Sequence, residues 1–362
     1  MENSKNMRVG IIGCGVIAKD HLGAIKDSGE QVELHLCDRN IEAAREFEHG
    51  FGCNVKMHDN AFKMLSEETF DAVHILTPPN SHYDIAKHAT ENGANVFIEK
   101  PMALSLKETK ELYELGKRKG KMVCVGHSLL YMDCIWKATK LLRSGKMGRI
   151  ISVHSFFGHS EKKKSIPYGG VSHWAYKTPG GPLINLVPHP ASVIVGLLGV
   201  PEKINILEDA RNLMPNGFSD LLDVTIRTSN GHGSFTVTMA HGSSSRYTNI
   251  ECEKGSIYVD FSKQIMVYKY HRGKFGPLSK KFGGIGLGIS FIKSTFGVIY
   301  KVATGKMKSN PGTRKLVVMF YQAIRNNGQC PVSKENAVNV AMILEQVIAA
   351  SKANKIKDNV SF

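Results

Sequence analysis

The sequence predicts two domains of different architecture: a Rossmann-type, doubly wound parallel α/β sheet, then an open, mainly antiparallel sheet with helices on one face. Three observations predict it. The chain opens on a short β-branched run that ends in closely spaced glycines and passes straight into helical spacing. Strand-like and helix-like stretches then alternate to about residue 127. Beyond residue 200, apolar and polar residues alternate with period two between turn residues. At 362 residues the chain can bury two cores, and the division is expected between 1–127 and 128–362.

The first strand is "MRVGIIGCG", and "VIAKDHLGAIKDSG" after it has helical spacing with a closing glycine. Between them lies Gly13-x-Gly15-x-x-Ala18. Gly13 permits a tight turn, Gly15 lets the backbone approach a pyrophosphate, and small Ala18 lets helix and strand pack closely. The phosphates would meet N–H groups at the helix start, around Val16 and Ile17. A second strand, "VELHLCDRN", ends at Asp38 about 20 residues on, where a carboxylate would accept hydrogen bonds from the adenine ribose. That carboxylate repels a 2′-phosphate, so NAD is expected in preference to NADP, with Arg39 beside it working the other way. Next come "DAVHILTP", "SHYDIAKHATENG", "ANVFIEKP", "SLKETKELYELGKRKG" and "KMVCVGHS". Such alternation means parallel βαβ units with ligands at the carboxyl ends of the strands. Thr77, Pro78, Asn80 and His82 close one of those strands, and Glu99, Lys100 and Pro101 close the next. All but Pro101 are candidate cofactor contacts. Lys100, biased to an extended backbone by the following proline, is also a candidate to hold a substrate hydroxyl and help move its proton.

"GIIGCGVIAKDHL", "TPPNSHYDIAKHA", "EKPMALSLKE" and "GGPLINLVPHP" occur in the order and approximate spacing of the glucose–fructose oxidoreductase, inositol dehydrogenase and rhizopine-catabolism (Gfo/Idh/MocA) family, which this chain resembles over residues 7 to 200. The "EKP" tripeptide is the most specific mark. The resemblance implies a two-domain NAD(P)-dependent oxidoreductase acting on sugars, cyclitols or nucleotide sugars, with the substrate between the nicotinamide and the C-terminal sheet. Members often carry D-x-x-x-H on the helix that "GGPLINLVPHP" resembles, and its histidine is read as the proton-transferring group. Here the histidine is His189 and the aspartate position holds Asn185. The run 181–196 reads as one helix, so residues four apart share a face. Pro188 and Pro190 within it suggest a kink. Asn185 can orient a hydroxyl but cannot act as a base, which leaves proton transfer to His189 and Lys100 as catalytic residues.

Leading into that stretch, residues 159–181 read as a polar loop. Tyr168, His173 and Trp174 are candidates to stack on or bond a sugar, and Lys162 to Lys164 to meet a phosphate or carboxylate; a solvated basic loop with one packed tryptophan explains the same residues. From residue 200, "DLLDVTIRTSN", "GSFTVTMAHGS", "RYTNIECEKGSIYVDF" and "QIMVYKY" read as antiparallel strands. "TRKLVVMFYQAIRNNG" and "SKENAVNVAMILEQVIAASKANK" read as closing helices.

The net charge of +15 is local. From Phe261 to Lys334 there are 14 Lys or Arg and no Asp or Glu, whereas the rest of the chain carries 33 basic against 32 acidic residues. The centre of a basic amphipathic insertion at about 272–311 is "FGGIGLGISFIKSTFGVIYKVATGKMK". Ile285, Ile289, Ile292, Phe296 and Tyr300 form an apolar stripe, with Lys293 and Lys301 off it. Its longest uncharged run is 11 residues, short of the roughly 20 a spanning helix needs, and four glycines near its start argue against a rigid helix. The segment 280–308, bordered by Lys280, Lys281, Lys306 and Lys308, suits peripheral contact with an anionic membrane. An oligomer contact and a lid over an anionic nucleotide sugar are the rival readings. Nucleic acid is not expected, because no binding motif accompanies the charge.

Hydrophobic content of 42% and charged content of 22% are those of a globular protein. The start has no long apolar stretch before a small-residue cleavage site, so no secretory signal is expected. Seven scattered cysteines without C-x-x-C fit reduced thiols in a cytoplasm, and neither they nor the 15 histidines show a metal-ligand spacing. The reading is thus an NAD-dependent oxidoreductase acting on a sugar, nucleotide sugar or lipid-linked sugar, in envelope or polysaccharide metabolism. It is expected to be a cytoplasmic homo-oligomer, dimer or tetramer, peripheral to the inner membrane face if the basic segment binds lipid. Two alternatives stay open: an enzyme that holds NAD tightly and oxidises transiently to assist elimination or glycoside cleavage, and a non-catalytic nucleotide-sensing protein.

Overall fold

The computed structural model describes residues 6–47, 55–159, 171–211, 214–239, 244–271, 278–306 and 308–360. The chain forms two compact units, the first from residues 1–128 and 313–342, the second from 129–312 and 343–362.

In the first unit the strands are β1 (Met7–Ile12), β2 (Val32–Cys37), β3 (Val55–His58), β4 (Ala72–Ile75), β5 (Asn95–Ile98) and β6 (Val123–Val125). Helices α1 (Ala18–Asp27), α2 (Ile41–Arg45), α3 (Ala61–Glu67), α4 (His82–Glu91) and α5 (Leu106–Lys119) connect them. The strands lie in the order β3-β2-β1-β4-β5-β6 and every pairing is parallel. All four residues of β4 are buried, and so are Val96, Phe97 and Ile98 of β5. Strands covered on both faces need near-continuous apolar runs, which is how they read in the sequence, with His74 the polar exception in β4. Chain order reverses between β1 and β4, and ligands of such sheets bind at that crevice. Helix α5 shows how local sequence sets element ends. Ser105 accepts from the Glu108 N–H at 3.1 Å, and Gly120 closes the helix at φ 62°.

The second unit holds α6 (Asp133–Arg143), β7 (Ile150–Gly158), α7 (Trp174–Lys177), α8 (Pro188–Leu198) and strands β8 (Lys203–Asp209), β9 (Leu221–Thr228), β10 (Gly231–Thr238), β11 (Ser245–Cys252), β12 (Gly255–Asp260) and β13 (Ile265–Tyr270). Helix α9 (Leu278–Ala303) follows; most of α10 (Pro311–Arg325) and the first part of α11 (Lys334–Val360) belong to the first unit, and the rest of α11 to the second. The seven strands run β13-β12-β11-β7-β10-β9-β8. Burial alternates along β9 and β10 as the period-two pattern requires. One pairing departs from the antiparallel expectation: β7 and β10 are parallel. The chain leaves β7 and returns only after two helices and two strands, a crossover long enough to restore direction.

Two helices differ from their sequence reading. Residues 181–196 are not one helix. Pro182–Asn185 form a 3₁₀ turn, and the α-helix begins at Pro188. Pro188 and Pro190 produce no mid-helix kink because they occupy the first turn, where N–H groups have no intrahelical partner to lose. Helix α9 runs unbroken through its glycines over 26 residues. A Cβ at Gly284, Gly286, Gly288 or Gly297 would meet nothing within 4 Å, so these glycines mark no close approach. Their propensity cost of about 1 kcal/mol each is a weak bias that tertiary contacts override, here those of the helix with β13 and α6. Within this helix Gly284–Ala303 has mean hydropathy 1.3 and, by length and composition alone, could cross a bilayer, which corrects the expectation drawn from the uncharged run.

Candidate cofactor and catalytic site

The glycine turn, the β2 acid and the β4 loop converge in the first unit. Gly13 has φ +97°, and a Cβ there would lie 2.8 Å from the Leu76 carbonyl carbon and the Thr77 nitrogen. Any other residue would be strained and would collide with backbone. At Gly15 an added Cβ would meet no protein atom within 4 Å, so the space in front of the turn is open. Val16 is 94% exposed beside that space, and Ala18, fully buried, starts α1. The Cys14 N–H donates to Asp38 Oδ2 at 2.8 Å, and the Asn40 N–H donates to Asp38 Oδ1 at 2.9 Å. Asp38 is thereby fixed at the carboxyl end of β2, against the turn. Arg39 is exposed beside it and lines an open cavity of about 460 Å³ with Met57, His58, Asp59 and Lys63. A left-handed glycine, an open approach and an anchored carboxylate are what a dinucleotide's pyrophosphate and ribose require. The residues fit NAD: the turn for its phosphates, Asp38 for its adenine ribose.

After β4, Thr77 and Pro78 lead into a 3₁₀ turn, Pro79–Ser81, that contains Asn80. Ser81 Oγ lies 2.9 Å from the Pro78 carbonyl oxygen and 2.7 Å from Thr77 Oγ1. The His82 ring is buried, with Nδ1 2.8 Å from the Pro101 carbonyl oxygen and Nε2 2.6 Å from that of Thr77. Both ring nitrogens face backbone, so His82 ties the β4 loop to the β5 loop. Its place in the cofactor set is that of a brace.

Glu99 is the hub at the end of β5. Its Oε2 accepts from the Lys100 N–H at 3.1 Å, and its Oε1 lies 3.2 Å from His21 Nε2 on α1. His21 Nδ1 is 2.9 Å from His74 Nδ1 on β4, and His74 Nε2 is 2.8 Å from the Tyr321 hydroxyl on α10. Burial pushes the Glu99 carboxyl up, but the His21 hydrogen bond and the nearby Lys100 ammonium outweigh it and hold it below the ordinary range. A carboxylate only accepts, so with neutral rings the direction of the whole chain follows. Tyr321 O–H donates to His74, His74 Nδ1–H donates to His21, and His21 Nε2–H donates to Glu99. Burial drives His74 well below the usual histidine range and Tyr321 well above the usual tyrosine range. Close by, His127 Nδ1 donates to Asn336 Oδ1 at 2.8 Å, and burial lowers its pKa to about 4. Sequence reasoning placed Glu99 and Lys100 but missed His21, His74, Tyr321 and His127. The signal was polarity out of place: His21 shares the buried stripe of α1 with Ala18, Leu22 and Ile25, and His74 interrupts the apolar run of β4.

In the second unit, thirteen of the fifteen residues from Gly181 to Val195 are buried; the two exceptions are Asn185 and His189. Asn185 ends the 3₁₀ turn and His189 lies in the first turn of α8. The His189 ring stacks on Phe157 of β7 at 6.4 Å and 9°, and its carbonyl accepts from Ser192 Oγ at 2.8 Å. His173 caps α7, its Nδ1 accepting from the Ala175 N–H at 3.2 Å, and its ring lies 5.0 Å from the part-buried Trp174. Tyr168 and Lys162 to Lys164 lie outside the described residues.

Comparison with known proteins follows this division of the chain. Residues 7–127 match the oxidoreductase family with an NAD-binding Rossmann fold, and residues 135–258 match the GFO/IDH/MocA C-terminal domain. The chain belongs to the Gfo/Idh/MocA oxidoreductase family. Among curated relatives, it is 31% identical over 42% of its length to the uncharacterized oxidoreductase YhhX of Escherichia coli, covering 41% of that protein. It is 29% identical over 54% of its length to oxidoreductase P35 of Formosa agariphila, covering 61% of that protein. With the D-apiose dehydrogenase of Paraburkholderia graminis it shares 29% identity over 40% of its length and 38% of that enzyme. The chain therefore spans about half the length of these relatives. In fold it is similar to levoglucosan dehydrogenase in complex with NADH and levoglucosan, with a TM-score of 0.80, 21% identity and 97% and 98% of the two chains covered. It is also similar to the WlbA dehydrogenase of Bordetella pertussis in complex with NADH and UDP-GlcNAcA, with a TM-score of 0.76, 21% identity and 97% of each chain covered. NAD is the cofactor class of the family's Rossmann domain.

Proposed function

We propose that this family member is an NAD-dependent dehydrogenase that moves a hydride between a secondary alcohol of a sugar or nucleotide sugar and the nicotinamide. The observation that carries this reading is the exposure pattern of residues 181–195, where only Asn185 and His189 escape burial in an otherwise apolar stretch. A core histidine would be sealed with its neighbours; this one is presented. Oxidising CH–OH to C=O sends a hydride from carbon and a proton from oxygen. NAD, when bound, supplies the hydride acceptor. The chain's own groups handle the proton. Lys100, held by its backbone bond to Glu99, donates to the substrate hydroxyl oxygen, and His189 takes the proton. The Asn185 amide orients a neighbouring hydroxyl, and Trp174 offers a face to the sugar ring. Names of relatives and structural neighbours support a carbohydrate: D-apiose, levoglucosan and a UDP-linked sugar acid. We extend the reading to nucleotide-linked or lipid-linked sugars of envelope or polysaccharide metabolism. It includes a cytoplasmic homo-oligomer, the compartment supported by cysteines that are all free among the described residues.

The test is NADH absorbance on mixing protein, NAD and a panel of free and UDP-linked sugars. Lys100→Ala and His189→Ala should keep NAD binding but lose turnover by roughly a hundredfold or more, the scale of general acid–base catalysis. A His189→Ala protein with unchanged turnover refutes the assignment. Product formation without net NADH would instead point to transient oxidation.

A further inference from the structure

Helix α9 is amphipathic the wrong way round. Its less exposed positions are Leu287, Ser290, Ser294, Val298 and Lys301, spaced three and four apart, so they form the face turned toward the unit. That face is largely polar or small. Ser294 Oγ accepts from the Met266 N–H of β13 at 3.3 Å, Lys301 pairs with Asp133 of α6, and Phe291 meets the Tyr258 ring at 6.1 Å. The opposite face carries Ile285 (62% exposed), Ile289 (48%), Ile292 (57%), Phe296 (65%) and Ile299 (53%). A surface helix of a globular protein buries its apolar stripe. This one spends its polar residues on the sheet and leaves the stripe outside.

The surroundings select the occupant. Exposed Lys293 lies on the shoulder of the stripe, and exposed Lys306 and Lys308 follow its end, with Lys306 Nζ 5.6 Å from the Tyr300 ring. No acidic residue lies anywhere between Phe261 and Lys334. A second copy docking through the same face would bring lysines to lysines with no carboxylate to pair them. An anionic lipid surface supplies both needs, acyl chain for the stripe and phosphate for the ammonium groups. The anchoring to β13 and α6 also fixes the orientation. A helix fastened along its length by one face lies flat on a bilayer, whereas spanning would require it to leave the sheet.

We propose that α9 is a membrane-docking helix whose outward Ile285–Ile289–Ile292–Phe296–Ile299 stripe enters the interface of an anionic bilayer while Lys293, Lys306 and Lys308 meet its phosphates. This stands apart from the catalytic reading, and its test uses no substrate. The full chain is sedimented with vesicles of phosphatidylglycerol and phosphatidylcholine, or of phosphatidylcholine alone, at low and high salt. The bound fraction should be at least about tenfold higher on anionic vesicles at low salt and should fall on adding salt. Ile289→Ser with Phe296→Ser should abolish pelleting, and Lys293→Glu with Lys306→Glu should remove the preference for anionic lipid. Both pairs are at exposed positions, so each variant should keep the parent's circular dichroism. Alkaline carbonate should release the bound protein. Three outcomes overturn the proposal: no pelleting with anionic vesicles at low salt, retention in the membrane through carbonate, or a lipid-independent dimer that Ile289→Ser with Phe296→Ser dissociates.

Discussion

Removing one hydroxyl, by Tyr321→Phe, should destabilise the first unit by about 1–3 kcal/mol, the cost of a buried acceptor left without its donor. The ring itself loses nothing: Tyr321 stacks on His74 at 5.7 Å and 22°, and phenylalanine keeps that contact. What changes is His74 Nε2, which has the Tyr321 hydroxyl at 2.8 Å and no exposure to water. A tautomer switch gives no escape. Moving the His74 proton to Nε2 would leave two Nδ1 lone pairs facing each other at 2.9 Å, and reversing His21 as well would aim a lone pair at the Glu99 carboxylate. The cost should therefore fall in the upper half of the range. Both tryptophans, Trp136 and Trp174, are in the second unit, so their fluorescence would not report it. Hydrogen exchange of peptides covering β1 and β4 would. Exchange free energies within about 0.3 kcal/mol of the parent would show that the chain from Tyr321 to Glu99 is not directed as argued.

Acid should weaken the first unit through His127. Its folded pKa of about 4 lies below the unfolded value near 6.5, so between those pH values the unfolded chain binds the extra proton. Stability should fall by about 3 kcal/mol as pH drops from 6.5 to 4, and His127→Gln should flatten that slope in exchange measurements; an unchanged slope would exclude His127 as its source. The two turn glycines should separate folding from binding. Gly13→Ala forces a left-handed backbone and a 2.8 Å backbone contact, so it should lower the melting temperature and NAD affinity together. Gly15→Ala meets no protein atom within 4 Å, so it should melt like the parent while losing about tenfold or more in NAD affinity. Normal NAD affinity in Gly15→Ala would move the pyrophosphate elsewhere.

The parts legible from sequence are those set by neighbours along the chain. The turn at Gly13 and Gly15, the acid at Asp38, the loops after β4 and β5 and the period-two strands all follow from local backbone and patterning rules, and the spacing of the motifs carried the family resemblance. The sequence by itself therefore determined the alternating strands and helices around the glycine turn and the period-two strands from β9 to β13, and it singled out Lys100, Asn185 and His189 as candidates; β3, α6, β7 and β8 it did not show. Only tertiary structure decided what lies beside them. Tyr321 meets His74 across 247 positions, and no local pattern joins a hydroxyl on α10 to a carboxylate on β5. The prolines near His189 read as a kink until the start of α8 showed them in its first turn. In α9 the apolar period was visible, but a period does not say which face turns inward. Hydrogen bonds and ion pairs to β13 and α6 chose the polar one, because there the helix satisfies groups on its neighbours that an apolar face could not.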